Sequence, residues 1–488
     1  MHQKKNLDLP FHPGVIAAAM FGALLAGCAV GPDFKQPGAP KVQSYTADKL
    51  EAASGLGGQR FVPGQDIPGE WWTAFGSPQL NALVAAALAN NPDLQAAQAA
   101  LRAAREAAAA QRGDLFPSVD ASVSPTRQSV ADVLASPLAN NSNLFSLHTA
   151  QLNISYAPDI FGGLRRQIEA GAAQAEAQRF QRNATYLTLV SNVVLAAVNE
   201  ASLREQLQAA EQAETLALRQ LELARKQRAL GALGLADVAA QETLAAQAQA
   251  ALPALRKQLA QQRDQIAVLT GRFPGEEAMR GMDLASLSLP VQLPLSLPSA
   301  LVQQRPDVRA AQAQLQAASA QVGVAIANRL PSFTISGSAG SSALDFSRLL
   351  SSGTGFWSLG LNVTQPLFRG GSLLHEQRAA EAGLDQADAQ YRSVVLGAFQ
   401  NVADTLHAIA ADADALATAT RAESAARRGF DAAQAQWKAG SAGSPAVLLA
   451  QQNLLQASQS RIQAQAARLA DTVALFQALG GGWWNQDL

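Results

Sequence analysis

Two hydrophobic periods alternate along this chain. The stretch NNPDLQAAQAALRAAREAAAAQRG (90–113) opens on Asn-Pro-Asp and is filled with Ala, Leu, Gln and Arg, all strong helix formers. At Phe116-Pro117 the period drops to two. Val119, Ala121 and Val123 alternate with Asp120, Ser122 and Ser124, and Leu152, Ile154 and Tyr156 alternate with Asn153 and Ser155. Alternation of this kind places one row of side chains on each face of a strand. The same pattern returns with Phe333, Ile335 and Gly337 against Ser332, Thr334 and Ser336. It returns again with Trp357, Leu359, Leu361 and Val363 against Ser358, Gly360, Asn362 and Thr364. Stretches rich in Ser, Asn and Gly, about 125–147 and 339–355, predict loops between the paired strands. From Gln167 to about Arg228 only Gly171 interrupts a helical pattern, and at 1.5 Å per residue such a helix would run roughly 93 Å. A turn containing Gly231 and Gly234 follows, then a return helix.

These recurrences are one duplication. RPDVRAAQAQL (305–315) repeats NPDLQAAQAAL (91–101) at seven of eleven positions, an offset of 305 − 91 = 214. Pro117 and Pro331 keep that offset. LNISYAPDIFGG (152–163) returns as LNVTQPLFRGG (361–371), now at 361 − 152 = 209, which Gly231/Gly440 and Gly271/Gly480 also obey. The five-residue change falls between Pro117 and Leu152. Repeat 1 is therefore 91–271 and repeat 2 is 305–480, with a Pro-rich join at 272–304 and a tail at 481–488. One asymmetry stands out. Pro253 in AALPALRKQ corresponds to Ile462, and an interior proline predicts a bend or break in the first return helix only.

Composition narrows the function. Only 15% of residues are charged and the formal net charge is −1, which offers nucleic acid no basic surface. The five histidines (His2, His12, His148, His375, His407) are scattered, without the pairing of a metal site, and no phosphate-cradling, dinucleotide-binding or nucleophile-elbow motif is present. No enzyme and no cofactor are expected. After the N-terminus no apolar run approaches the eighteen or so residues of a spanning helix.

At the N-terminus, Lys4 and Lys5 precede an apolar run from Val15 to Ala26 and the tetrapeptide LAGC ending at Cys28, the only cysteine. This is a secretory leader, 1–27. LAGC resembles the bacterial lipobox, which implies cleavage before Cys28, covalent lipid on its sulfur and acylation of its new amino group. Residues 28–90 are then a lipidated N-terminal segment. Ala29, not Asp, follows the cysteine, so the outer membrane is the expected address.

Four alternating strands cannot close a barrel alone, since bacterial outer-membrane barrels begin at eight, and open edges are not tolerated in lipid. Several copies must combine. The order of helix, hairpin, very long helix, turn and return helix, all duplicated, resembles the TolC-like outer-membrane efflux factors. More narrowly, it resembles the lipidated branch that serves RND-type pumps. The residues that carry the likeness are EWWTAFGSPQLNALVAAALANNPDLQAAQAAL (70–101), RPDVRAAQAQL, LPSFTISGSAG and LFQALGGGW (475–483).

The resemblance implies a mixed α/β membrane protein. It would be a homotrimer whose four strands per protomer close a 12-stranded transmembrane β-barrel, continuing into a long α-helical coiled periplasmic tunnel. Val119, Ile154, Phe333 and Leu361 would face outer-membrane lipid. It implies passive conduction of small molecules, drugs or other toxic compounds, from an inner-membrane RND-type pump through a periplasmic adaptor (membrane fusion protein) to the exterior of a Gram-negative cell. Family members often close the periplasmic tip with carboxylates on the return helices. Here those positions hold Pro445, Ala446, Leu449 and Gln452, and only Asp237 in the first repeat is acidic. Asp237, Leu449 and Gln452 are the candidate tip constriction, Asp237 alternatively serving as a helix cap. A protein-secretion conduit of the same fold and a non-pore scaffold lipoprotein are the alternatives.

Overall fold

A computed structural model of the chain describes residues 29–48, 58–134, 142–276 and 281–486. Cys28 lies outside the described residues.

The duplication is reproduced element by element. Helix α1 (Pro78–Asn90) leads into α2 (Pro92–Gly113), strands β2 (Ser118–Ser129) and β3 (Leu144–Tyr156), α3 (Gly163–Ala229) and α4 (Leu235–Leu269). The second repeat places α6 (Pro306–Ala327), β5 (Ser332–Ala343), β6 (Gly355–Thr364), α7 (Ser372–Lys438) and α8 (Ser444–Ala478) in the same order. Counterpart helices have equal lengths of 22, 67 and 35 residues. At 1.5 Å per residue the long ones run roughly 100 Å. The join contributes α5 (Pro298–Gln304) and β4 (Gln292–Leu295), which pairs in parallel with β1 (Arg60–Pro63).

The motif that opens each repeat has a structural role. Asn91 Oδ1 accepts from the N–H groups of Asp93 (3.0 Å) and Leu94 (3.1 Å), capping α2, and Asn91 Nδ2 donates to the Leu269 carbonyl at 3.0 Å. Arg305, 214 residues on, donates from Nη1 to the Ala478 carbonyl at 2.9 Å, and Ala478 is the counterpart of Leu269. In both halves the residue before the proline ties the start of one helix to the last turn of the return helix. Gly271 and Gly480 close this joint at φ 72° and 97°. A Cβ on Gly271 would lie 2.4 Å from the Asn90 carbonyl oxygen, and one on Gly480 would lie 2.6 Å from that of Gln304.

Three expectations need correction. Both hairpins are longer than the alternation suggested, because residues 125–129, 144–151 and 339–343 continue the ladders as strand. Their Ser and Thr hydroxyls hydrogen-bond across the sheet; Thr126 Oγ1 donates to the Leu147 carbonyl (3.3 Å), and the Thr149 and Ser342 hydroxyls meet at 3.2 Å. Helix α4 runs unbroken through Pro253. Pro253 and Gln249, whose carbonyl loses its donor, are both exposed, so water can replace the missing bond. Ile462, the counterpart, is buried to 1%. Finally, α3 and α7 each contain a stretch that is apolar enough, by length and composition, to cross a membrane. In α3 that stretch is 72% buried, which reads as helix packing; in α7 only 33% is buried within the protomer.

The chain forms two compact units, and both repeats contribute to each. One combines residues through Gln36 with Leu101–Ala177 and Ala311–Tyr391; the other comprises Pro37–Ala100, Gln178–Ala310 and Arg392–Leu488.

Candidate functional site

In the first unit the site is the four-stranded antiparallel sheet, ordered β2-β3-β5-β6. Its register stacks apolar side chains on one face: Val119 opposite Ile154, Ile335 opposite Leu361, Phe333 opposite Val363. Val119, Ile154 and Leu361 are 62%, 47% and 66% exposed, and Phe333 is half-buried. A face of β-branched and aromatic residues left open to this degree is a surface made for an apolar environment. The opposite face is a polar ladder. Asn153 Nδ2 donates to Ser122 Oγ (3.1 Å), Gln151 Nε2 donates to Asn153 Oδ1 (2.8 Å), and the hydroxyls of Ser338 and Ser358 meet at 2.8 Å.

The extended N-terminal segment is held in this unit by a contact the sequence did not signal. Arg166, 5% exposed, donates from Nε to the Val30 carbonyl (3.0 Å) and from Nη2 to Asp33 Oδ1 (2.6 Å), while Nη1 meets Glu169 at 2.7 Å. The chain directly after Cys28 is thereby fixed against α3.

The second unit contains the hairpins. Near the α3–α4 turn, Ala217, Leu221 and Ala224 pack against Val238 and Ala245, and the three alanines let the helices approach closely. Ion pairs Arg225–Glu242 (2.7 Å) and Arg256–Glu211 (3.1 Å) span the hairpin, but both are exposed and contribute little. Arg461 on α8 is more central. It meets Glu423 of its own hairpin at 2.8 Å and Glu205 of the first repeat, tying the two repeats together.

Of the three tip candidates, Asp237 lies in the first turn of α4, and Leu449 and Gln452 lie in the second and third turns of α8. Asp237 is the third residue of α4 and accepts the Gly234 N–H at Oδ2 (3.2 Å), so in the protomer it caps its own helix. Leu449 is 61% exposed. Gln452 lines a 150 Å³ groove with Leu448, Leu455 and residues of α3 and α4, and its neighbour Gln451 donates to the Ala213 carbonyl at 3.1 Å.

A second feature invisible in the sequence is a carboxyl pair, Asp412 on α7 and Asp471 on α8, beside the buried Arg468. Burial, and then Asp412, push the Asp471 carboxyl up to about 6. Arg468 Nε is held by Gln59 Oε1 at 3.0 Å. Because the folded state keeps the Asp471 proton above the ordinary carboxylate range near 4, it binds more protons than the unfolded chain between about pH 4 and 6, and stability falls across that window as pH rises. Asp471→Asn should therefore melt higher than the wild type at pH 7.5, with the gap closing by pH 4.5. Thermal unfolding followed by circular dichroism at the two pH values checks this.

The sequence profile of the family described as outer membrane efflux protein matches residues 83–272 and 297–481, one segment per repeat. The chain belongs to the outer membrane efflux protein family. Among its relatives, the pyoverdine export outer membrane protein OpmQ of Pseudomonas putida is 32% identical over 372 residues, covering 75% of each chain. The probable outer membrane lipoprotein SilC of Salmonella typhimurium is 30% identical over 390 residues, 78% of this chain and 80% of that one. Of solved structures, the outer-membrane channel OprN superposes with a TM-score of 0.84 at 28% identity, covering 93% of this chain and all of its own. The open state of the Neisseria gonorrhoeae MtrE outer membrane channel gives 0.82 at 26% identity, covering 94% of this chain and 100% of that one.

Proposed function

We propose that this chain is the outer-membrane channel of a tripartite efflux system, passively conducting small molecules delivered by an inner-membrane RND-type pump through a periplasmic adaptor. One observation carries the reading: a four-stranded sheet with an exposed apolar face and two edges unpaired among the described residues, on the same chain as paired helices of roughly 100 Å. Three copies supply 4 × 3 = 12 strands, enough to close a barrel. The α7 stretch left two-thirds uncovered in one protomer is a surface that further copies would bury. Lipid on Cys28 adds an anchor beside the segment that Arg166 holds. Energy comes from the pump, so the chain's task is to line a path.

The supporting experiment is a mildly denaturing gel of outer membranes without boiling. A slowly migrating band that collapses to protomer on heating fits a closed channel; a protomer band in both lanes fits a scaffold lipoprotein and defeats the reading.

At the tip, Asp237 and Leu449 narrow the resting trimer, and Gln452 stands one turn further along. A constriction that is partly apolar responds weakly to divalent cations. Asp237→Ala and Leu449→Ala should each raise resting conductance, Leu449→Ala more, with little change on adding millimolar divalent cation. Bilayer recordings of the purified variants decide it, and wild-type conductance in both withdraws these residues.

A further inference from the structure

The polar face of the sheet carries a single charge. Side chains alternate along each strand, and the register places even-numbered residues of β2, β5 and β6 on that face with odd-numbered residues of β3. These positions hold Ser, Thr, Asn, Gln and Gly, with Leu147, Phe145 and Phe356 towards the loops. Asp120 alone among them is charged, since Arg127 falls in the opposite row. It stands two residues after β2 begins at Ser118, at the end of the sheet that follows α2.

Nothing in the sheet requires that charge. Asp is among the residues least suited to a strand. The Asp120 carboxylate is exposed and enters no hydrogen bond or ion pair among the described residues. Asn153 lies directly opposite, but its carboxamide is engaged elsewhere: Oδ1 accepts from Gln151 (2.8 Å) and Nδ2 donates to Ser122 (3.1 Å). The second repeat builds the same place without an acid. The counterparts are 120 + 214 = Thr334 and 153 + 209 = Asn362, and these two are again directly opposed. A neutral hydroxyl therefore suffices for the fold, and each copy contributes one carboxylate to this face.

We infer that Asp120 sets the charge preference of the path through the sheet: one carboxylate from each of three copies favours cations there and holds back anions of the same size. The inference rests on the oligomeric channel reading and deepens it, since it names a residue that sorts the cargo by charge. Rings of carboxylates select cations in this way. Twelve strands about 4.8 Å apart and tilted about 40° make a barrel roughly 24 Å across, which leaves the carboxylates roughly 8 Å from its axis. Three charges at that distance in water, screened over a Debye length of about 10 Å in 0.1 M salt, enrich cations about threefold and deplete anions about threefold. Walls of low dielectric constant focus the field further.

Ion selectivity tests it. Every variant is made in the Asp237→Ala background, which removes the carboxylate proposed for the tip. Reversal potentials are read from the purified oligomer in a planar bilayer, under a potassium chloride gradient centred on about 0.1 M. Asp120→Asn should lower the cation-over-anion permeability ratio several-fold, up to about tenfold, with discrete current steps still present. Adding Thr334→Asp to Asp120→Asn should restore the ratio, because it returns one carboxylate per copy to the same face at the pseudo-equivalent position. The difference between variants should vanish in about 1 M salt, where the Debye length falls to about 3 Å. Asp120→Asn with the ratio of its parent overturns the inference, as does a lowered ratio that Thr334→Asp leaves unchanged. No current from the wild-type oligomer sinks the channel reading instead.

Discussion

Leu361→Arg should strip the protein from the outer membrane, while Asn362→Arg, one residue on, should leave it there. Leu361 stands on the apolar face opposite Ile335, 66% exposed in the protomer. Its neighbour Asn362 points to the other face and sits among hydroxyls and amides, donating to Thr364 Oγ1 at 3.1 Å. An arginine facing lipid near the bilayer midplane costs about 2–4 kcal/mol. Three copies in one barrel would multiply that to roughly 6–12 kcal/mol. Turned to the aqueous face, the same side chain has water and Ser partners and no such cost. Fractionated membranes, washed with urea and probed for the protein, distinguish the two. Equal retention of both variants would mean the exposed apolar face is not lipid-facing.

Gly271→Ala should cost the fold far more than Gly231→Ala. Both glycines have positive φ, 72° and 79°, so alanine pays a similar conformational cost of about 1–2 kcal/mol at each. At Gly231 the new methyl meets open space. At Gly271 it falls 2.4 Å from the Asn90 carbonyl oxygen, a backbone atom held by the α1–α2 junction and unable to swing aside. Overpacking of that kind adds about 1–3 kcal/mol, for a total near 2–5 kcal/mol against 1–2 at the turn. Thermal unfolding by circular dichroism should show a drop several degrees larger for Gly271→Ala. Gly480→Ala should resemble it, because the same joint recurs there against Gln304. Equal melting of the Gly271 and Gly231 variants would show that the joint relaxes.

Much of this was legible in the chain because duplication doubles every signal. Offsets of 214 and 209 located both hairpins, and the change between them falls in the loop separating the paired strands, as β2 and β5 keep one offset and α3 and α7 the other. What composition hid was the extent of the strands. Thr126 and Ser342 look like loop residues, yet they hydrogen-bond across a polar sheet face, Thr126 to the Leu147 carbonyl and Ser342 to the Thr149 hydroxyl. Pro253 marked a true difference between repeats without the break its chemistry suggests, since its ring lies on an exposed side of the helix. The Asp412–Asp471 pair and the Arg166 clasp had no sequence signature at all. Each joins residues on different elements, and only packing reveals that a scattered carboxylate or arginine is buried. At the tip, Asp237 was legible as a possible cap, and the protomer shows that bond at 3.2 Å. Its part in a constriction depends on neighbouring copies.

The central claim is that copies of this chain enclose one water-filled path. Purified protein, extracted as the unboiled oligomer and added to a planar lipid bilayer, should produce discrete, uniform current steps. Leu449→Ala should enlarge them, and boiling the sample first should abolish them. A preparation that inserts into the bilayer as the intact oligomer and passes no current, in wild type and in Leu449→Ala alike, would contradict the claim.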